Sequence, residues 1–454
     1  MAYQSTNPYD GKVLEQFSEL DGAQLEARLA LAASCFTTWR TTSFAERRAI
    51  LSRAATLMRE RSDEFATLIT LEMGKLIDQS RGEVALSAAI LDYYADNAED
   101  FLATEKLNVK SGEALVESAP VGVLFGVEPW NYPYYQIVRF AAPNLMAGNV
   151  VMVKHASNVP QCARAFELLM AEAGAPAGAY TNLYISKEQI GQVIDDPRIK
   201  GVALTGSEGA GAVVAARAGQ NLKKTTMELG GSDAFIVLDD ADLDEAVKQA
   251  VIGRMGNSGQ ACTASKRFIV AEPLADRFLA QFMAALANFK PGNPIDPKTT
   301  LAPLSSQEAL DNLLDQVKRA VAAGAKVVVG GERADVPGAF MQPTILTDID
   351  KTNPAYKEEF FGPVALFFRV ADEAAAIALA NDSPFGLGGS VFTKDIERGK
   401  RVARQIDTGM VFINKPNSSS PDLPFGGVKN SGYGRELSRA GIQEFVNKKL
   451  IRVE

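Results

Sequence analysis

The sequence predicts an α/β protein made of two doubly wound units, and three observations carry that expectation. From about Asp21 to Phe101, apolar residues recur at helical spacing with charges opposite, as in LEARLALAASCFTTWR and FAERRAILSRAATLMRERSDEFATLITLEMGK. After KLNVKSGEALVESAP the texture changes to short apolar runs bounded by Gly and Pro: VGVLFGVEP, VVMVKHAS, GVALTGS and AFIVLDD. Such runs suit strands covered on both faces of a parallel sheet. Helical stretches such as QCARAFELLMAEAGAP and ADLDEAVKQAVIGRM fall between them. A second alternation follows Cys262 in KRFIVAE, PLADRFLAQFMAALANF, SSQEALDNLLDQVKRAVAAGAKVVVGG and GGSVFTKD. A chain of 454 residues also exceeds one core, so at least two domains are expected.

Composition narrows the class of function. With 46% hydrophobic and 22% charged residues, the profile is that of an ordinary globular enzyme. A net charge of −8 and the lack of a dense Lys/Arg run remove the electrostatic footprint of a nucleic-acid binder, which leaves small-molecule chemistry. The 3 cysteines, Cys35, Cys162 and Cys262, cannot build a disulfide framework, and no CxxC or Cys/His cluster suggests a metal. A reducing compartment, the cytoplasm, is expected. MAYQSTNPYDGKVLEQF lacks a basic segment followed by an apolar one, and no run of about 18 apolar residues occurs, so neither export nor membrane insertion is expected.

Chemistry then has few carriers. One histidine, His155, is the sole possible partner of a Cys/His pair. Cys35 and Cys162 sit in helical repeats and read as small core residues. Cys262, in NSGQAC, joins a helix to the strand KRFIV among small neighbours that would admit a substrate, so it reads as either inert packing or a nucleophile. Glu228 ends an apolar strand before Gly230 and Gly231 and permits three readings: a general base, a solvated edge residue, or a ribose ligand 22 positions beyond Gly206. The turn LTGSEGAG opens a helix with Gly206, Ser207, Gly209 and Gly211. Its free N–H groups favour phosphate, although its spacing is GxxGxG and it equally suits a helix-packing turn. In VEPWNYPYYQIVRF, Trp130 and Asn131 follow a strand, and Asn131 is either a turn residue or an amide aimed at an oxyanion.

Taken in order, EPWNYP, LTGSEGAG, MELGGSDAFIV, NSGQAC, EEFFGPV and LPFGGVKNSGYGRE resemble the aldehyde dehydrogenase superfamily over nearly the whole chain, and KHAS, ELGGSD and SGYGRE resemble its bacterial succinate-semialdehyde dehydrogenase group. The resemblance implies that Cys262 attacks an aldehyde to give a thiohemiacetal and then a thioester. It makes Glu228 the base that activates water, and it forms the oxyanion hole from Asn131 and the Cys262 N–H. It also implies cofactor contacts from Trp130, Lys154, Ser157, Gly206, Ser207, Glu359 and Phe361. Ser157 stands where NAD-using members generally carry a glutamate, so NADP is the preferred expectation, with NAD possible. Arg139, helped by Ser419, is assigned to a substrate carboxylate, with a structural pairing to a buried carboxylate as the alternative, while Gly256 replaces a second arginine found in some members. Ser232, in place of a more frequent lysine, has no mechanistic reading.

The same resemblance implies a Rossmann-like cofactor domain (1–101 and 120–230), an α/β catalytic domain (231–430) and a small strand-based oligomerisation element (102–119 and 431–454). A homodimer or homotetramer follows from the terminal edge strand NKKLIRVE. A coenzyme A-acylating dehydrogenase, and a non-catalytic structural protein on the same fold, are the alternatives.

Overall fold

The computed structural model describes residues 3–454. Its first elements were not expected: Tyr3–Thr6 (β1) and Val13–Phe17 (β2) form an antiparallel hairpin. The alternation that buries Tyr3 and Ser5 spans only YQST, too short to stand out in sequence. The helical block then resolves into Gly22–Trp39 (α1), Phe44–Glu60 (α2), Ser62–Met73 (α3) and Ile77–Phe101 (α4). Asp21 and Ser43 start the first two through capping boxes closed by Gln24 and Glu46. Gly74 ends α3 at φ +81°, where an added Cβ would lie 2.7 Å from Pro303.

Two short strands, Glu105–Leu107 (β3) and Glu113–Pro120 (β4), precede the first α/β alternation. That alternation runs Val123–Glu128 (β5), Pro133–Met146 (α5), Val150–His155 (β6), Pro160–Glu172 (α6), Tyr180–Asn182 (β7), Lys187–Asp195 (α7), Ile199–Thr205 (β8), Glu208–Gln220 (α8) and Lys224–Glu228 (β9). The five strands are parallel in the order β9-β8-β5-β6-β7. The order reverses direction beside β5, and in such sheets the crevice past the strand ends at that point receives ligands.

The chain crosses to a second sheet between Glu228 and Asp233. There follow Asp233–Val237 (β10), Leu243–Met255 (α9), Ser265–Ala271 (β11), Glu272–Leu286 (α10), Gln307–Ala322 (α11), Lys326–Val329 (β12), Thr344–Thr347 (β13), Val364–Val370 (β14), Glu373–Asn381 (α12), Phe385–Gly386 (β15), Gly389–Phe392 (β16), Ile396–Ala403 (α13) and Phe412–Ile413 (β17). The order is β12-β13-β14-β11-β10-β16-β17, parallel except for β12. Period-two alternation sends Ala234 and Ile236 into one core cluster and Phe235 and Val237 into another, so both faces are covered.

The last segment is Val428–Lys429 (β18), Gly432–Tyr433 (β19), Ser438–Ile442 (α14) and Val446–Val453 (β20). The boundary expected at residue 431 differs from what is seen. β19 pairs antiparallel with β9 at the edge of the first sheet, and only β20 joins β4 and β3 in the third. Gly432 permits this approach: it adopts φ +104° against Met227, where no side chain fits. Among the described residues, no helix is long and apolar enough to cross a membrane.

Candidate active site

Between the first two sheets lies a cavity of about 290 Å³, walled by Trp130, Asn131, Gln136, Thr205, Gly206, Ser207, Glu228, Leu229, Gly230, Cys262, Glu359 and Phe361 among others. Residues that sequence reading drew from five separate motifs thus meet on one wall. Glu228 and Thr205 are register partners at the ends of β9 and β8, and Asn131 lies in the loop leaving β5.

Cys262 arrives on an unusual backbone. After α9, Asn257, Ser258 and Gly259 all have positive φ (52°, 52° and 77°), a left-handed run that non-glycine residues rarely adopt. Buried polar groups hold it: Arg254 donates to the Gly259 carbonyl at 2.7 Å, and Asn257 Nδ2 donates to the Asn131 carbonyl at 2.9 Å. Cys262 itself is half-buried, whereas Cys35 and Cys162 are buried. Burial pushes the Cys262 thiol up to about 12. The Lys266 ammonium and the Arg139 guanidinium oppose that rise, and Glu359 and Asp233 add to it.

Asn131 is oriented by its neighbours. Gln136 Nε2 donates to its Oδ1 at 3.3 Å, and its Nδ2 donates to the Gln260 carbonyl at 3.2 Å. A primary amide has two N–H groups, so one remains for the cavity. Behind it, the buried Lys75–Glu83 ion pair fixes the loop. Lys75 donates to the Asn131 carbonyl at 2.9 Å, and Glu83 accepts from the Tyr134 N–H at 2.9 Å. Sequence reading missed this pair, because a Lys and a Glu on a helical stretch read as solvent-facing.

Glu228 is only 2% exposed, and neither carboxylate oxygen has a hydrogen-bond partner among the described residues. Burial pushes its pKa well above the usual carboxylate range, with Arg139 opposing and Glu436 reinforcing the rise. An orphaned buried acid facing a cavity is suited to taking a proton from a water there.

The cofactor side of the cavity fits a dinucleotide. Ser207 caps α8 from an exposed position, and added Cβ atoms would meet only Leu204 at Gly206 and nothing at Gly209, so phosphate can approach the backbone. At Gly230 a Cβ would sit 2.5 Å from Glu359, so glycine leaves that carboxylate accessible. Trp130 and Phe361 meet edge to face at 5.7 Å. Lys154 and Ser157 lie at and just past the end of β6, away from this wall, with Ser157 exposed. Burial, with the Lys187 ammonium nearby, lowers Lys154 to about 8.

The direct substrate contact expected for Arg139 is not what the structure gives. Arg139 is 1% exposed, is absent from the cavity wall, and forms a buried ion pair with Glu436. Glu436 was not singled out in the sequence, since the pairing spans nearly 300 residues of chain. Arg139 also donates to Thr205 Oγ1 at 3.1 Å and to Tyr135 Oη at 3.3 Å, and Tyr135 in turn donates to Ser419 Oγ at 2.8 Å. The arginine thus reaches Ser419 only through Tyr135. Arg139→Ala is therefore expected to lower stability, by about 3–5 kcal/mol for a broken buried pair, read as a lower melting temperature.

His155 is structural. Its Nδ1 accepts from the Ala156 N–H at 2.9 Å, its Nε2 donates to the Pro133 carbonyl at 3.0 Å, and burial lowers its pKa to about 4. Ser232 is buried with no partner for its hydroxyl among the described residues, and nothing in the structure explains its place there. Among the described residues, no cluster of His, Cys, Asp and Glu is placed to hold a metal ion.

Comparison with known proteins agrees with this geometry. Residues 1–451 match the Aldehyde dehydrogenase family. The chain is 54% identical over 450 residues to a protein of Deinococcus radiodurans named succinate-semialdehyde dehydrogenase, NADP(+), covering 99% of this chain and 94% of that one. It is 46% identical to a probable enzyme of the same name from Synechocystis, covering 99% of each. A crystal structure of succinic semialdehyde dehydrogenase from Streptococcus pyogenes, in complex with NADP+, superposes with a TM-score of 0.98 at 49% identity, covering 100% of both chains. With residues 1–451 matched by the family model and a relative 54% identical over 99% of its residues, this chain belongs to the aldehyde dehydrogenase family.

Proposed function

We propose that the protein oxidises succinate semialdehyde to succinate through a covalent adduct on Cys262, with NADP as the preferred electron acceptor. One observation carries the chemistry: Cys262, Glu228 and Asn131 share a cavity with a backbone cradle suited to a dinucleotide. The names of its relatives support the choice of substrate and cofactor.

The steps follow from the residues. Cys262 Sγ releases its proton to solvent and bonds as the thiolate to the aldehyde carbon, and the oxygen that gains charge is met by the free N–H of Asn131 and the backbone N–H of Cys262. When bound, the nicotinamide supplies the hydride acceptor. Water then adds to the thioester on Cys262 while Glu228 takes its proton, and the carboxylic acid departs as the Cys262 thiolate is restored. Both groups work deprotonated and burial holds both protonated, so kcat/KM is expected to rise with pH from neutral into the alkaline range.

A hydroxyl at position 157 leaves a 2′-phosphate unopposed, with Lys154 close by in sequence. Ser157→Glu is expected to shift the ratio of kcat/KM for NADP over NAD by about 10- to 100-fold toward NAD. Steady-state titration of both cofactors checks it, and an unchanged ratio contradicts the assignment.

For the substrate carboxylate, the chain Arg139–Tyr135–Ser419 offers hydroxyls polarised by a buried cation. Tyr135→Phe is expected to raise KM for succinate semialdehyde about tenfold while moving KM for butanal by less than about threefold. Equal changes on both substrates contradict the assignment.

β20 presents Leu450 and Val453 to solvent at 61% and 53% exposure, and its outer edge pairs with no strand among the described residues. This edge supports assembly as a homodimer or a homotetramer. Free cysteines suit the cytoplasm. The testing experiment mixes purified protein with succinate semialdehyde and NADP and follows reduced-nicotinamide absorbance with and without coenzyme A. Turnover independent of coenzyme A supports the proposal. A requirement for coenzyme A favours the acylating alternative, and no turnover with any aldehyde favours a structural role.

A further inference from the structure

We infer that Lys266 is a positioning residue for the nucleophile loop: its ammonium ties the Ala261 and Cys262 carbonyls to the Glu359 carboxylate and sets a positive charge behind the thiol. The inference rests on the reading of Cys262 as nucleophile.

Lys266 Nζ donates to the Ala261 carbonyl at 2.8 Å and to the Cys262 carbonyl at 2.7 Å, and it pairs with Glu359 Oε1 at 2.8 Å. Three donors meet three acceptors on a side chain with 0% exposure, so the ammonium is fully used. The strand register explains how it gets there. Asp233 pairs with Ser265 and Ala234 pairs with Arg267, so Lys266 is the extra residue of a β-bulge. Bulges re-aim a side chain, here back toward the loop that precedes the strand.

The other side of the clamp is Gly231. Its N–H donates to Glu359 Oε1 at 3.1 Å, and a Cβ on it would lie 2.7 Å from the Cys262 carbonyl oxygen. The Cys262 carbonyl is therefore held between a glycine backbone and an ammonium, while Glu359 is held by both. Lys266 is not on the cavity wall, so it acts through Cys262 and Glu359. In a buried setting a nearby cation favours the thiolate, and among the charges around Cys262 the Lys266 ammonium is the strongest of those opposing burial.

The test reads thiol reactivity directly, without substrate or cofactor. Alkylation of Cys262 by iodoacetamide, followed by peptide mass spectrometry from pH 7 to 10, is compared for wild type, Lys266→Met, Lys266→Arg and Glu359→Gln, with thermal melts alongside. Lys266→Met is expected to slow alkylation about tenfold at each pH, the equivalent of one pH unit. Lys266→Arg is expected to restore the rate to within about threefold of wild type. Glu359→Gln, which leaves the cation uncompensated, is expected to speed alkylation severalfold, and it keeps the test decisive if Lys266→Met does not fold. Overlaid profiles for wild type and Lys266→Met, or slower alkylation in Glu359→Gln, overturn the inference. Turnover in Cys262→Ala would instead overturn the nucleophile reading and leave the alkylation result standing.

Discussion

Alanine at position 262 is expected to abolish aldehyde oxidation, with a loss on the order of 10⁵-fold, the scale seen when a covalent nucleophile is removed. Neither other cysteine can stand in, because Cys35 and Cys162 are buried and are not on the cavity wall. In contrast, His155→Asn is expected to keep turnover within about tenfold of wild type, since its two ring nitrogens serve only backbone groups. Progress curves for both variants with NADP check the pair. Substantial turnover in Cys262→Ala would remove the covalent mechanism.

Glutamine at position 228 is expected to lower kcat by about 10²- to 10⁴-fold while leaving a stoichiometric burst of reduced cofactor and an unchanged cofactor Kd. The burst separates the base role from the ribose role that spacing alone left open. A weakened cofactor Kd with normal deacylation would favour the ribose reading. The same variant carries a stability signature. The folded-state pKa of Glu228 is raised, so the native state keeps a proton that the unfolded state releases once pH passes the ordinary carboxylate range. Wild-type stability from this group is greatest at acid pH and falls as pH rises, whereas the amide does not titrate. The melting temperature of Glu228→Gln relative to wild type should therefore climb between pH 5 and pH 9, and a constant difference would contradict a buried, protonated Glu228.

Much of this architecture is legible in the chain because the strands are covered on both faces. Runs such as VVMVKH and AFIV cannot be mistaken for half-exposed strands, and two of the helices between them, α7 and α8, start on the capping residues Ser186 and Ser207. The glycine turn and the strand-end acid announce the cavity for the same reason: they break the apolar pattern where a ligand must approach. What sequence does not reveal is which buried charges meet. Lys75, Glu83, Lys266 and Glu436 are not singled out in the sequence, and Glu359 and Arg139 are read there as ligand contacts, because charge is usually exposed and the pairings of Lys75 with Glu83, Lys266 with Glu359 and Arg139 with Glu436 depend on the folded path. Arg139 shows the cost of that blindness. The resemblance assigns it to a substrate carboxylate, yet α5 is buried all round, and Arg139 meets Glu436 instead.

The covalent adduct itself is the most direct target. Glu228→Gln protein, mixed with succinate semialdehyde and NADP, quenched in acid after the burst and digested, should yield the Cys262 peptide heavier by one succinyl group, in amount equal to the reduced cofactor formed. Reduced cofactor accompanied by an unmodified Cys262 peptide, or a succinyl group on another residue, would contradict the account.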